Sequence, residues 1–272
     1  MGRLIIFSDL HANWEALLAL QQAEPHPEAV LCLGDIVGYG PDPKLCLDAV
    51  HSLTASRETR FLEETGFLHG YSIAGSADRA VGLKTPPSPI PDTQCPTPNT
   101  QVRPVVLPVG GCLAGLEESW AHARSILPAN DRDYLAGLPA ALTVELAGVR
   151  FHLTRLPPDN SETETQMLIT MPQARLRELF GAIKAEVILL GGPHIPALRQ
   201  LDGRLIVCPG SLGQPLYGTP DPTFAAWEDG RLQIHHLHYH PQATIRKLSL
   251  LPLAPEHTLA LQAVLQTGGR ET

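Results

Sequence analysis

Two short, continuously apolar runs, RLIIFS (Arg3 to Ser8) and AVLCL (Ala29 to Leu33), flank a segment that opens on Asn13 and keeps helical spacing to about Gln22. Apolar runs of this length without polar alternation are strands covered on both faces, and a helix between them makes a β-α-β unit with parallel pairing. Asn13 is placed to cap that helix. The opening therefore fixes an α/β class, because sheets buried on both sides need helices outside them.

The rest of the chain continues the alternation. Pro43 to His51 has a helical pattern, and Tyr71 to Ala74 is a third strand ending at Gly75. Helical patterns return at Leu116 to Ile126 and Asp131 to Leu138, then strands at Leu142 to Glu145 and Val149 to His152. A helix capped by Thr170 puts Leu176, Leu179, Phe180 and Ile183 on one face ahead of the strand Val187 to Leu190. Asp202-Gly203 and Asp229-Gly230 each separate two strand-like runs and predict hairpins, so antiparallel strands complete the sheets. A helix over Glu256 to Gln266 closes the chain.

A chain of 272 residues, 43% of them hydrophobic, is long enough to bury one large core, and a single domain over residues 1–272 is expected. Residues 84–108 interrupt it with eight prolines in 25 positions and no apolar period, the composition of a flexible insert. A net charge of −8 provides no field for a duplex nucleic acid. The apolar run near the N-terminus is too short for a leader or a membrane span, which predicts a soluble, cytoplasmic protein with no membrane partner. Five cysteines without a C-x-x-C pair predict neither a disulfide framework nor a structural zinc site. Oligomeric state is not encoded in any of these features.

The chemistry-bearing residues lie just past the strands. Asp9 and His11 follow the first, Asp35 the second, Ser76 and Asp78 the third; His152 ends a middle strand, and His194 follows Val187 to Leu190 in the stretch LLGGPHIP. Ligands gather at the carboxyl ends of parallel strands, so these residues can converge from distant segments. Two carboxylates and three imidazoles there would make a metal site of mixed oxygen and nitrogen donors. Asp9 and His11, two apart in an extended stretch, would point the same way. Other residues have plainer readings. Cys208 is a small buried thiol, His236, His238 and His240 line one face of a solvated edge strand, and Gly38, Gly40 and Pro41 shape a turn. Arg155 is open to two readings, a partner for a substrate phosphate or a surface salt bridge.

SDLHAN (Ser8 to Asn13), LGDIVGYGPDP (Leu33 to Pro43), GSAD (Gly75 to Asp78), FHLTR (Phe151 to Arg155), GGPH (Gly191 to His194) and PGSLGQP (Pro209 to Pro215) occur in the order of the motifs of calcineurin-like metallophosphoesterases. The chain resembles the small bacterial phosphodiesterase-like branch of that family, over nearly its whole length apart from the proline-rich insert. The resemblance implies a four-layer α-β-β-α sandwich of two mixed sheets. It implies two metal ions sharing a bridging aspartate, with a water between them attacking phosphorus. The first-metal set would be Asp9, His11, the bridging Asp35 and His194, and it is complete.

The second set is degraded. GSAD puts Ser76 where the family has a ligand Asn and Ala77 where it has a His that assists the leaving group, and GGPH puts Gly192 in place of the first His of GHTH. Asp35, His152 and Ser76 are left for a second ion held weakly or not at all, with Asp35 and His152 the residues assigned to catalysis. The implied cofactor is a divalent ion, manganese first, with iron, zinc or magnesium as alternatives. The implied function is a metal-dependent phosphoric ester hydrolase, a phosphodiesterase of weak or narrow activity acting on a small phosphoester or nucleotide. The alternative is an inactive pseudo-phosphoesterase that binds a phosphate ligand or a protein partner. Asp78 is better read as a structural carboxylate than as a ligand.

Overall fold

The computed structural model describes residues 2–54, 69–83, 109–155 and 168–269. The proline-rich insert at 84–108 lies outside them. The opening unit forms as the sequence predicts: β1 (Leu4–Phe7), α1 (Trp14–Ala23) and β2 (Ala29–Cys32), with β1 and β2 parallel. Asn13 caps α1, its side-chain oxygen accepting from the Ala16 N–H at 3.2 Å. Next come α2 (Pro43–Thr54), β3 (His69–Ser72), α3 (Ser76–Gly82), α4 (Val109–Ile126) and α5 (Ala129–Gly137). Then follow β4 (Ala141–Leu146), β5 (Val149–Thr154), α6 (Gln173–Phe180), β6 (Val187–Leu190), β7 (Ala197–Leu201) and β8 (Arg204–Cys208). The chain ends with β9 (Thr223–Glu228), β10 (Arg231–His236), α7 (Gln242–Leu248) and α8 (Pro255–Thr267).

The strands form two mixed five-stranded sheets, ordered β10-β9-β1-β2-β3 and β4-β5-β6-β8-β7. Both predicted hairpins are present, at β7–β8 and β9–β10. Period-two alternation divides the side chains between layers. Leu4, Ile6, Leu31 and Ala225 of the first sheet face Phe151, Leu153, Leu189 and Val207 of the second, making the inter-sheet core. Ile5, Phe7, Val30 and Cys32 point the other way and are covered by Leu17 and Leu20 of α1 and Leu47 and Val50 of α2. On the far side Ile188, Leu190, Ile206 and Cys208 are covered by Leu176, Leu179 and Phe180 of α6. Helix, sheet, sheet, helix is the layering the resemblance implies.

Several boundaries differ from the sequence reading. β5 continues past His152 to Thr154 because β6 pairs with it in parallel, Phe151 with Val187 through Thr154 with Leu190. β3 ends at Ser72, and the buried Ile73 and Ala74 lead directly into α3, which the sequence reading left out. Thr170 does not cap α6, whose first residue Gln173 follows Pro172. The histidine run leaves β10 after His236, so His238 and His240 are not on a strand face. α7 was not expected; it packs on α8 through Ile245, Leu248, Leu261 and Leu265.

The inter-sheet core makes a direct stability prediction. Phe151 is fully buried, with its ring edge-on to Trp227 at 5.4 Å between centroids. Phe151→Ala leaves a cavity between two sheets that cannot both collapse into it, and is expected to lower the unfolding free energy by about 3–5 kcal/mol in a denaturant titration.

Candidate metal centre

The carboxyl ends of β1, β2, β5 and β6 meet at one edge of the sandwich. The loops after β1 and β2 are laced together by backbone: the N–H groups of Asp9, His11 and Ala12 donate to the carbonyls of Gly34, Asp35 and Ile36 at 3.0, 2.8 and 2.9 Å. The loop after β8 closes on the same segment, with Gly213 N–H and Ser211 Oγ donating to the Asp9 carbonyl at 3.0 and 2.7 Å.

Asp9, His11, Asp35 and His194 all have left-handed backbone, with φ of 54°, 47°, 52° and 58°. Non-glycine residues are held there only where surrounding contacts over-determine them, as happens at functional sites. Asp9 and His11 thus lie in a tight turn and not in the extended stretch inferred from their spacing. They converge through the turn and the lacing.

Asp9, His11 and His194 are buried, with one potential ligand atom from each within 4.8 Å of the others. The two histidine Nε2 atoms face each other at 3.2 Å, and Asp9 Oδ1 lies 3.4 Å from His194 Nε2 and 3.9 Å from His11 Nε2. Donors about 2.0–2.1 Å from one ion in tetrahedral array stand roughly 3.3 Å apart, so this trio fits one face of such a shell. The carbonyl of Gln214, 2.8 Å from His194 Nδ1, can only accept. It therefore fixes the proton on Nδ1 and turns the Nε2 lone pair to the site. Burial pushes the His11 imidazole down to about 4, so it is neutral near pH 7 and could serve as a ligand, and its Nδ1 is buried without a hydrogen-bond partner. The two facing Nε2 atoms, 3.2 Å apart, need a proton or a cation between them. The trio fits a divalent ion on both geometry and chemistry.

The remaining predicted residues are arranged differently. Asp35 is buried beside the trio but its carboxylate is engaged: Oδ1 accepts from the Ala77 N–H at 2.8 Å, and Oδ2 accepts from Arg155 Nη2 and from Ser76 Oγ, the latter at 3.4 Å. Asp78 accepts the N–H groups of Ile36, Val37 and Gly75 at 2.8, 3.1 and 2.9 Å, the structural role anticipated for it. Burial and the neighbouring Asp35 push it up to about 7. Cys208, at the end of β8, is buried with its thiol pushed up to about 12, as read from the sequence.

The assignment of His152 to a second metal needs correcting. It lies inside β5, paired across from Thr143, whose Oγ1 is 2.8 Å from its Nδ1. Phe151 and Leu153 face the inter-sheet core, so alternation turns His152 to the opposite face.

The residue just beyond the strand is Arg155. Its Nη1 donates to Asp9 Oδ1 at 2.7 Å and its Nη2 to Asp35 Oδ2, with only 13% of the side chain exposed. This is neither a surface salt bridge nor a free phosphate anchor. Burial alone would raise Asp9, but Arg155, His194 and His11 outweigh it and hold the carboxyl well below the usual range. Burial likewise opposes the charge on Arg155, and Asp35 and Asp9 overcome it and raise its pKa.

A cavity of about 20 Å3 opens beside His11, between Tyr39, Gln214 and an apolar wall of Leu248 and Leu261. It has room for a single water.

A family model for the calcineurin-like phosphoesterase superfamily domain matches residues 3–228. The chain belongs to this superfamily. The match covers the strands and loops that carry the trio and stops before β10, α7 and α8. An uncharacterized protein of Methanocaldococcus jannaschii is 21% identical over 264 residues, covering 90% of this chain and 91% of its own. Among solved structures, a hypothetical protein of Pyrococcus horikoshii superposes with a TM-score of 0.73 at 20% identity, with all of both chains covered. A metallophosphoesterase of Sphaerobacter thermophilus gives 0.66 at 21%, covering 96% of this chain and 99% of that one. At these identities the structures establish the shared fold.

The shift at His11 makes stability depend on pH. Its folded value near 4 lies below the unfolded value of 6.5, so its contribution is complete above pH 6.5 and is lost as pH falls toward 4. Melting temperatures of the ion-free protein across that window should therefore fall more steeply for the parent than for His11→Gln. The difference should correspond to at most about one proton.

Proposed function

We propose that the protein is a metal-dependent phosphoesterase, most specifically a phosphodiesterase, that works with one firmly held divalent ion, manganese being favoured. The observation carrying this reading is the buried trio of Asp9, His11 and His194, with donor atoms spaced for a single shell. When bound, such an ion lowers the pKa of a water and polarises a phosphoryl oxygen.

The chain's own groups do the rest. His194 is held in the ligating tautomer by Gln214, and the neutral His11 completes the pair. Asp9, Asp35 and Arg155 together carry one net negative charge, which a divalent ion would turn into one positive charge. A phosphodiester is a monoanion and neutralises that charge, whereas a phosphomonoester dianion overshoots it. Ala77 offers no proton to a departing group, so acidic leaving groups are favoured; a missing general acid costs about 10²- to 10⁴-fold on poor ones. A small phosphodiester or nucleotide is the substrate class this supports, with residues 1–272 taken as one domain. Cys32, Cys46 and Cys208, buried and unpaired, support a reducing, cytoplasmic setting.

A second reading, an inactive phosphoesterase relative that binds a phosphate ligand or a protein partner, is favoured by one observation. Arg155 already satisfies both carboxylates from within the chain. Hydrolysis of an activated aryl phosphodiester with added manganese separates the two. The parent should turn over, and His194→Ala should lose more than the roughly 10- to 100-fold typical of altering a ligand's supporting partner. A parent that binds inorganic phosphate but never hydrolyses the ester would establish the second reading instead.

A further inference from the structure

Four positions around the two carboxylates contrast in size. Ser76, Ala77 and Gly192 are small, and the residue following β5 is a long arginine. At Gly192 the missing side chain leaves room that the arginine fills. A Cβ on Gly192 would come within 3.3 Å of Arg155 Nη2 and 3.6 Å of its Cζ, and Gly192 has φ +108°, which disfavours any side chain. A larger ring at that position could not share the space with the guanidinium. The Gly192 N–H instead donates to Asp9 Oδ2 at 3.0 Å, bringing the loop onto the carboxylate that Arg155 holds from the other oxygen. Ala77 contributes only its N–H, to Asp35 Oδ1.

We propose that the Arg155 guanidinium is the second cation of this centre: a fixed charge bonded to both Asp9 and Asp35 that excludes a second metal ion and commits the site to one. This rests on the one-ion reading above and goes beyond it by naming what takes the other position. A guanidinium suits the task because it stays charged when buried and its planar fork reaches two carboxylates at once. In two-metal hydrolases the ions stand about 3.5–4 Å apart and clamp opposite oxygens of the reacting group. Here Arg155 takes Asp9 Oδ1 and Asp35 Oδ2 while the Gly192 and Ala77 N–H groups take Asp9 Oδ2 and Asp35 Oδ1, so a single ion beside His11 and His194 would share Asp9 Oδ1 with the guanidinium and none of the four oxygens is left unengaged for a second ion. Arg155 is thus a positioning residue: it offsets one of the two carboxylate charges and holds Asp9 Oδ1 beside the two histidines without itself needing a metal.

The test counts manganese per chain after saturation and desalting, and records the low-temperature electron paramagnetic resonance spectrum of the bound ion. The parent should hold one manganese with the spectrum of an isolated ion. Arg155→His, which removes the fixed charge and supplies an imidazole, should bind one ion more than the parent and show an exchange-coupled pair. Arg155→Lys keeps a charge and should retain the parent's count. Circular dichroism establishes that each variant is folded. An exchange-coupled pair in the parent overturns the proposal whether or not the variants fold, and so does a folded Arg155→His that binds no more manganese than the parent. A parent that binds none while Arg155→His gains one would defeat the one-ion function but uphold the exclusion by Arg155.

Discussion

Two carboxylates buried at the ends of adjacent strands cannot both stay ionised without a nearby positive charge, and the Arg155 guanidinium supplies it. Removing one partner of a buried pair leaves an uncompensated charge, which typically costs about 3–5 kcal/mol. The strands β1 and β2 bring Asp9 and Asp35 together, and β5 delivers the arginine from the other sheet. The ion pair is therefore a contact between the two sheets as well as between three side chains. It clamps the open edge of the sandwich where the apolar core ends.

The backbone around that clamp is set in an uncommon conformation. Four residues of the site have left-handed φ, and each is held by main-chain bonds to a neighbouring loop or by a side chain bonded to backbone. Such conformations cost of order 1–3 kcal/mol each and persist only where the surroundings enforce them. The inter-sheet core, with Phe151, Leu153 and Leu189 against Leu4, Ile6 and Leu31, provides the rigid platform that makes the enforcement possible. Tight packing and a strained rim thus belong to one design: the apolar layers fix the strand ends, and the strand ends fix the turns.

Much of this was legible beforehand where a residue's role follows from its own neighbours. The parallel opening, the Asn13 cap, both hairpins and the buried Cys208 each depend on local pattern or turn chemistry. Asp9, His11 and His194 could be named because they follow apolar strands directly. His152 was misread for want of register. The end of β5 is decided by its pairing with β6, and moving that end from His152 to Thr154 leaves the histidine on the outer face inside the strand and makes Arg155 the residue that follows it into the site. The dense histidines after Leu232 misled in the same way, since the strand stops at His236.

By itself, then, the sequence determined the α/β class, the parallel opening, both hairpins and the identity of three converging donors, because apolar periodicity, turn chemistry and strand-end placement are short-range properties; the layering followed from the family resemblance. Only the tertiary structure decided which charge faces the aspartates. That choice depends on which side of a strand the last residue emerges from, and on whether a neighbouring loop leaves space for a long side chain. Gly192 and Arg155 lie 37 positions apart, and nothing local links the absence of one side chain to the reach of the other. Packing at the sheet edge links them, since two groups cannot occupy one volume and two buried carboxylates need a cation between them.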